Sequence, residues 1–198
     1  MNESLNNIKE IKKYAEEENI PIMQDDGIDF LTSFIVKKQI KNVLEIGTAI
    51  GYSAIMMALA SEDTHITTIE RDEVRYMEAL KNIKKFNLED RITLIFNDAL
   101  NVNLEDQYDL IFIDAAKGKN QAFFEHFEDN LTTDGYIITD NMYFHGYVSM
   151  DEESIPSKNI LGIVRKIKDY TYFLENHMVY KTTIYNIGDG IAVTERRG

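Results

Sequence analysis

The chain is predicted to fold as an α/β domain around a mostly parallel sheet, on three observations. Short apolar runs alternate with amphipathic stretches of helical period along most of its length, as when crossover helices join parallel strands and cover both faces of the sheet. One of these runs passes through two glycines straight into an apolar helix, KNVLEIGTAIGYSAIMMALA at 41–60. Near the end, an aspartate-glycine pair separates two extended runs, which marks an antiparallel hairpin.

Residues Glu3 to Glu18 carry Leu5, Ile8, Ile11 and Tyr14/Ala15 at helical spacing. Pro21, which cannot continue the hydrogen-bond ladder, ends that helix in the turn Asn19–Met23. A second helix starts near Asp25, buries Ile28, Leu31 and Phe34/Ile35, and closes on Lys37, Lys38 and Lys41, which complement its C-terminal dipole. Val43, Leu44 and Ile46 form the first strand, and a helix resumes from Tyr52. Strand two is His65 to Glu70, followed by a helix over Asp72 to Phe86 with Val74, Met77, Leu80 and Ile83 expected inward. Ile92 to Phe96 and Leu110 to Ile113 are strands three and four. A helix over Lys119 to Leu131 aligns Phe123, Phe124, Phe127 and Leu131, and Gly135 to Thr139 is strand five. A polar loop, Ser149 to Lys158, precedes the last helix, Asn159 to Glu175. The final strands, Val179 to Ile187 and Ile191 to Thr194, meet at Gly188-Asp189-Gly190. No internal repeat or low-complexity linker interrupts residues 1–198, so a single domain is expected.

Bulk composition narrows the function classes. A 198-residue chain with 44% hydrophobic and 28% charged content can bury a sizeable core. No apolar run reaches membrane-spanning length, and the start, MNESLNNIKE, is polar rather than a signal peptide. Cysteine is absent, which removes disulfides and thiolate metal sites and suits the cytoplasm. His65, His126, His145 and His177 are scattered without an H-x-x-x-H pair, which argues against zinc chemistry. A net charge of −13 repels nucleic acid on average, so any RNA contact needs a local basic patch.

The first strand, its glycine turn and its helix present backbone N–H groups to a ligand. Gly47 and Gly51 are spaced G-x-x-x-G, not G-x-G-x-x-G, and no Lys-Ser/Thr pair follows. Neither a pyrophosphate nor a triphosphate is served; S-adenosylmethionine, with a ribose and an amino acid but no phosphate, fits better. An ordinary βα turn is the plainer alternative. Ligands of open parallel sheets bind beyond the carboxyl ends of the strands, so the residues there are the candidates. Glu70 can accept from both ribose hydroxyls, or pair with Arg71 or Arg75. Asp98 can accept from an adenine amino group, or cap a turn. Strand four ends at Asp114-Ala115-Ala116-Lys117 and strand five at Asp140-Asn141. Two carboxylates and an amide oxygen on adjacent strand ends suit Mg²⁺. Taken singly they are an N-cap and a loop start, and Lys117 a solvated lysine. Tyr143, Phe144 and His145 either line an acceptor pocket or pack on the last helix.

LEIGTAIGYSA, TIER, NDAL, FIDAAKGK and ITDN, in this order, resemble the catechol-type, metal-dependent O-methyltransferases over nearly the whole chain. ENIPIM, DAAKGKNQAFF and GDGIAVTE are similar to the subgroup of bacterial tRNA 5-hydroxyuridine methyltransferases, which make 5-methoxyuridine at the wobble position. The segment Ser149 to Val164 is less basic than in those tRNA enzymes, and Asn97 stands where glycine is usual. The resemblance implies a Rossmann-like methyltransferase fold: a mostly parallel seven-stranded sheet with an antiparallel C-terminal hairpin, on which the helices of residues 1–40 cover the cofactor side of a core at 41–198. It implies S-adenosylmethionine held by Met23, Glu45, Gly47, Ser53, Glu70, Asp98 and Asp114. It also implies Mg²⁺ on Asp114, Asp140 and Asn141, catalysis by Asp114 and by Lys117 beside the acceptor hydroxyl, and a homodimer. Two acceptors follow: a tRNA anticodon loop, approached through Lys117, Lys119, Arg165, Lys166, Lys168, Arg196 and Arg197, or a small catechol or other phenol. A non-catalytic cofactor-binding protein, the third possibility, has no need of the metal set.

Overall fold

Local signals shape each element of the computed structural model, which describes residues 2–198. The chain divides into a unit ending at Asn103 and a second unit, Leu104–Gly198. In the first, helix α1 (Asn2–Glu17) and helix α2 (Asp25–Lys38) precede strand β1 (Asn42–Ile46). Helix α3 (Tyr52–Ala60), strand β2 (His65–Glu70), helix α4 (Glu73–Lys85) and strand β3 (Ile92–Phe96) follow. The strands lie in the order β3-β2-β1, all parallel. Ile46 stands opposite Ile69, and Glu70 opposite Phe96. Ile11, Ala15, Ile28, Leu31, Ile35, Val43, Leu44, Ile46 and Ile55 are buried. Lys12 pairs with Asp25 and Glu10 with Lys85, tying α1 to both neighbouring helices. Helix α2 stops where Gln39 turns left-handed (φ 55°) and the N–H of Ile40 reaches back to the carbonyl of Ile35.

The buried face of α4 differs from the expected one. Val74 is 72% exposed, and Met77 and Leu80 are also exposed; Ala79, Asn82 and Ile83 face inward. Close approach decides this rotation. The Cα of Ala79 lies 3.5 Å from where a Cβ on Gly51 would stand, a separation that larger side chains would prevent. Asn82 Nδ2 donates to the Ile50 carbonyl at 2.9 Å, so a buried polar contact replaces an apolar one. Periodicity ranks residues by hydropathy and cannot see that a short helix-to-turn distance favours small ones.

In the second unit, strand β4 (Tyr108–Ile113) leads through a 3₁₀ turn, Lys117–Lys119, into helix α5 (Asn120–Phe127). Strand β5 (Leu131–Thr139), helix α6 (Lys158–Glu175), strand β6 (Tyr180–Tyr185) and strand β7 (Ile191–Arg196) follow, in the order β4-β5-β7-β6. Strands β4 and β5 are parallel, and β7 runs antiparallel to both β5 and β6. The seven expected strands and the C-terminal hairpin are therefore present. The expected helix over 119–131 is shorter: a 3₁₀ turn at Glu128–Asn130 ends it, and Leu131 already belongs to β5. Strand four also begins two residues earlier than expected, at Tyr108. Ser157 caps α6 by accepting from the Ile160 N–H at 3.2 Å. Phe124 packs against Tyr170, Phe173, His177 and Tyr180, and the Tyr170 hydroxyl meets Thr139 Oγ1 at 2.9 Å inside this core. No helix among the described residues is long and apolar enough to cross a membrane.

The observed face of α4 is testable by denaturant unfolding. Val74→Ser should change stability by no more than about 0.5 kcal/mol, as expected of an exposed site. Ile83→Ala should cost about 2–5 kcal/mol through the cavity it leaves.

Candidate active site

Beyond β1 the chain turns through Gly47 (φ 102°), Ala49 (φ 47°) and Gly51 (φ 85°) before α3 begins. The N–H groups of Gly47 and Thr48 both point to the Ile69 carbonyl, at 3.1 and 3.3 Å, so the turn stays attached to β2. Glu70, at the end of β2, accepts from three main-chain N–H groups: Ala49 at 2.8 Å, Arg71 at 2.9 Å and Asp72 at 2.8 Å. Its carboxylate thus braces the glycine turn against the start of α4. Arg71 pairs instead with Asp98 at 3.2 Å. The other oxygen of Asp98 accepts from the Leu100 N–H at 3.1 Å, so the turn-capping geometry is present. Met23 is buried, its side chain lying against Gly27.

Glu45 lies beneath this turn, at 0% exposure. Ser53 Oγ and Thr68 Oγ1 donate to its two oxygens, each at 2.5 Å, and Thr48 Oγ1 stands 2.6 Å from Thr68 Oγ1. Glu45 and Ser53, both expected to hold cofactor, are therefore brought together as partners of each other. Thr48 and Thr68 complete the network and were not singled out from sequence. The available signal was the alternation of HITTIE, which puts one threonine on a buried face. Burial away from water, against the two donated hydrogen bonds, pushes the Glu45 carboxyl up to about 7.

In the second unit, Ile113 and Thr139 are paired in register, so Asp114 and Asp140 leave adjacent strand ends together. The Asp140 N–H donates to the Ile113 carbonyl at 3.2 Å, extending the ladder by one rung. Asn141 is left-handed (φ 66°). Its own N–H donates to Asp140 Oδ1 at 2.7 Å, and its side-chain amide to Asp114 Oδ1 at 3.2 Å. Asn141 thus links the two strand ends: its side chain reaches Asp114 while its own N–H is held by Asp140. Among the described residues, no three carboxylate, imidazole or thiolate groups gather to hold a metal, so an ion here depends on the Asn141 amide as third ligand. Two carboxylates and an amide oxygen are hard donors, and the set fits Mg²⁺. Lys117 opens the 3₁₀ turn three residues after Asp114. Gly118 accommodates a second lysine: Lys166 Nζ lies 3.2 Å from where a Cβ on Gly118 would stand. Tyr143, Phe144 and His145 follow Asn141, with the Phe144 ring 5.6 Å from His145 and 5.8 Å from Tyr147.

The Glu45 network sets a pH dependence of stability. The folded carboxyl holds its proton more tightly than the unfolded chain does. Its contribution is full below about 4.5, the ordinary value, and is lost as pH rises through about 7. The loss amounts to about 3 kcal/mol. Glu45→Gln can still accept from one hydroxyl and donate to the other. In cofactor-free protein it should flatten the change in unfolding free energy between pH 5 and 8, leaving the variant more stable than the parent at pH 8.

The model of the O-methyltransferase family matches residues 2–197 of this chain. The caffeoyl-CoA O-methyltransferase of Populus kitakamiensis is 28% identical over 195 residues, covering 93% of this chain and 82% of its own. A Staphylococcus aureus structure, provisionally named a caffeoyl-CoA O-methyltransferase, superposes with a TM-score of 0.90 at 39% identity, over 96% of this chain and 92% of its own. An O-methyltransferase from Bacillus cereus, solved in complex with SAH, gives a TM-score of 0.82 at 25% identity, over 97% and 91%. With residues 2–197 matched by the family and the strand ends arranged as above, the chain belongs to the O-methyltransferase family.

Proposed function

We propose that the protein transfers the methyl group of S-adenosylmethionine to a hydroxyl of a small catechol or other phenol, with a divalent cation, Mg²⁺ first, at the acceptor. The observation that carries this reading is the meeting of Asp114, Asp140 and Asn141 on adjacent strand ends, with Lys117 three residues on. The matched relatives support the small acceptor, since plant proteins named for caffeoyl-CoA and flavonoid methylation align over 93% of this chain.

In this reading the glycine turn at Gly47, the carboxylate of Glu70 and the segment at Asp98 hold the donor, with Met23 beside them. Glu45 and Ser53 act from beneath the turn by keeping its shape. Asp114 serves both the donor side and the cation. A neutral phenol is a weak nucleophile, and the cation, as a Lewis acid, would favour its anion. Lys117 takes the acceptor proton or balances the charge left when the proton departs. Asp140 and Asn141 fix where the acceptor oxygen sits, and orientation accounts for the larger part of the barrier reduction, roughly 7–11 kcal/mol.

The tRNA acceptor has weaker support. Of the cations that would form its basic surface, Arg165 is held by Glu152 through two contacts and Arg196 lies over the Tyr180 ring, in a chain of net charge −13. The reading also includes a homodimer, for which exposed Val74, Met77 and Phe96 offer apolar surface, and a cytoplasmic setting.

Protein, S-adenosylmethionine and Mg²⁺ should methylate a catechol ester or thioester, detected as a 14-dalton mass gain, and chelation should stop the reaction. Methyl label entering only 5-hydroxyuridine of tRNA would replace the acceptor class; no label in either would remove the reading. In single-turnover rates, Lys117→Ala should lose about 10²–10⁴-fold, the usual range for a general base. Asp140→Ala should lose at least as much, because it releases the acceptor as well as the cation. Near-parental rates for Asp140→Ala at saturating Mg²⁺ would contradict the cation's role.

A further inference from the structure

The turn Gly188-Asp189-Gly190 marks a hairpin by its sequence, but it does more than join β6 to β7. It grips the segment that follows Asn141. The Asp189 carbonyl accepts from the Tyr143 N–H at 2.7 Å, and the Gly190 carbonyl from the Met142 N–H at 2.9 Å. Asp189 Oδ1 accepts from the His145 N–H at 2.6 Å. Its Oδ2 is buried without a hydrogen bond and stands 3.7 Å from His145 Nδ1. Gly190 is left-handed (φ 87°), and a Cβ there would sit 2.8 Å from the Tyr143 ring. The gripped segment is itself strained: Asn141, Phe144 and His145 all have positive φ (66°, 45° and 55°), as does Gly146 at 80°. Asparagine takes such angles readily, but an aromatic residue such as Phe144 holds them where surrounding contacts enforce them.

We propose that Asp189 is a positioning residue for the acceptor side of the reaction. Its carboxylate holds the His145 N–H and thereby keeps the loop, left-handed at Asn141 and at Phe144 to Gly146, in the path that directs Asn141 toward Asp114. The proposal rests on the reading of Asn141 as a cation ligand and assigns Asp189 no contact with the reacting atoms. An aspartate is suited to this place because one oxygen can accept from the loop while the other stays beside the imidazole. The flanking Gly190 lets the Tyr143 ring close over the turn.

The test uses the full chain and compares Asp189→Ala with Asp189→Asn, which retains an oxygen to accept from His145. Hydrogen exchange should show residues 142–148 of Asp189→Ala exchanging roughly tenfold faster or more, with β5 and β7 still protected. Mn²⁺ affinity, followed by electron paramagnetic resonance, should fall about 10–100-fold, the range for losing a group that orients a metal ligand. Asp189→Asn should recover most of both. Unchanged exchange at 142–148, or equal loosening of β5 and β7, would overturn the positioning role. If the parent protein binds no Mn²⁺, the cation reading fails, while exchange at 142–148 still decides whether Asp189 holds the loop. Should Asp189→Ala not fold, Gly190→Ala keeps the carboxylate and pushes a methyl group into the Tyr143 ring. It should loosen the same segment, and a loop as protected as the parent's would count against the clamp.

Discussion

Parallel pairing in register decides where the chemistry of each unit can lie. In the first unit Ile46 stands opposite Ile69, so the chain leaves β1 at Gly47 beside Glu70 as it leaves β2. In the second, Ile113 stands opposite Thr139, so Asp114 emerges beside Asp140. Further main-chain hydrogen bonds fasten both junctions: the Gly47 and Thr48 N–H groups to the Ile69 carbonyl, and the Asp140 N–H to the Ile113 carbonyl. A slip of one residue would send each carboxylate to the opposite face of its sheet and bring the buried apolar neighbours out with it. Leu44, Ile46, Ile111 and Ile113, all buried, therefore fix the geometry of the polar rim from below.

The two rims bend their chains by different means. The first uses Gly47 and Gly51 at positive φ, where glycine meets no steric penalty, and only Ala49 departs from that rule. The second places Asn141, Phe144 and His145 at positive φ. Asparagine accepts this conformation readily, but an aromatic residue and a histidine do so at about 1–2 kcal/mol each. The compensation comes from outside the loop, through the main-chain and carboxylate acceptors of Asp189 and Gly190. The glycine rim is held as well, through the Ala49 N–H on Glu70, but it carries strain at one residue only, whereas the second rim must hold an aromatic residue and a histidine.

The succession of strands along the chain, the glycine turn and the carboxylates at 114 and 140 were legible because each depends on a local signal: an apolar run, a glycine spacing, an acidic residue at a strand end. The unread features depend on distances between elements. Val74, Met77 and Leu80 have helical spacing, yet α4 turns Ala79 and Asn82 inward because the glycine turn passes close by. Glu45 entered only through the family resemblance, and no local signal pairs it with the hydroxyls at 53 and 68 that enclose it, one on a helix and one on another strand. Glu70 was weighed between ribose and arginine, and the three main-chain N–H groups that it also accepts from went unread. The aspartate of the last hairpin gave a turn signal and nothing more, since its partner lies 44 residues away.

The exit of Asp114 and Asp140 from adjacent strand ends also explains why asparagine suits position 141. Two carboxylates leaving neighbouring strands repel one another, which raises the free energy of the ionised pair unless something positive or hydrogen-bonding intervenes. A third carboxylate would add to that repulsion. An amide has two faces. Its N–H₂ end donates to Asp114, as observed at 3.2 Å, and its oxygen end is a neutral hard donor of the kind a divalent cation accepts. Rotation about one side-chain bond exchanges them. Asparagine also tolerates the left-handed backbone that aims the amide at Asp114. One residue thus meets the electrostatic and the conformational demand of the rim together, so changing it to aspartate would disturb the site more than the near-identical shapes imply.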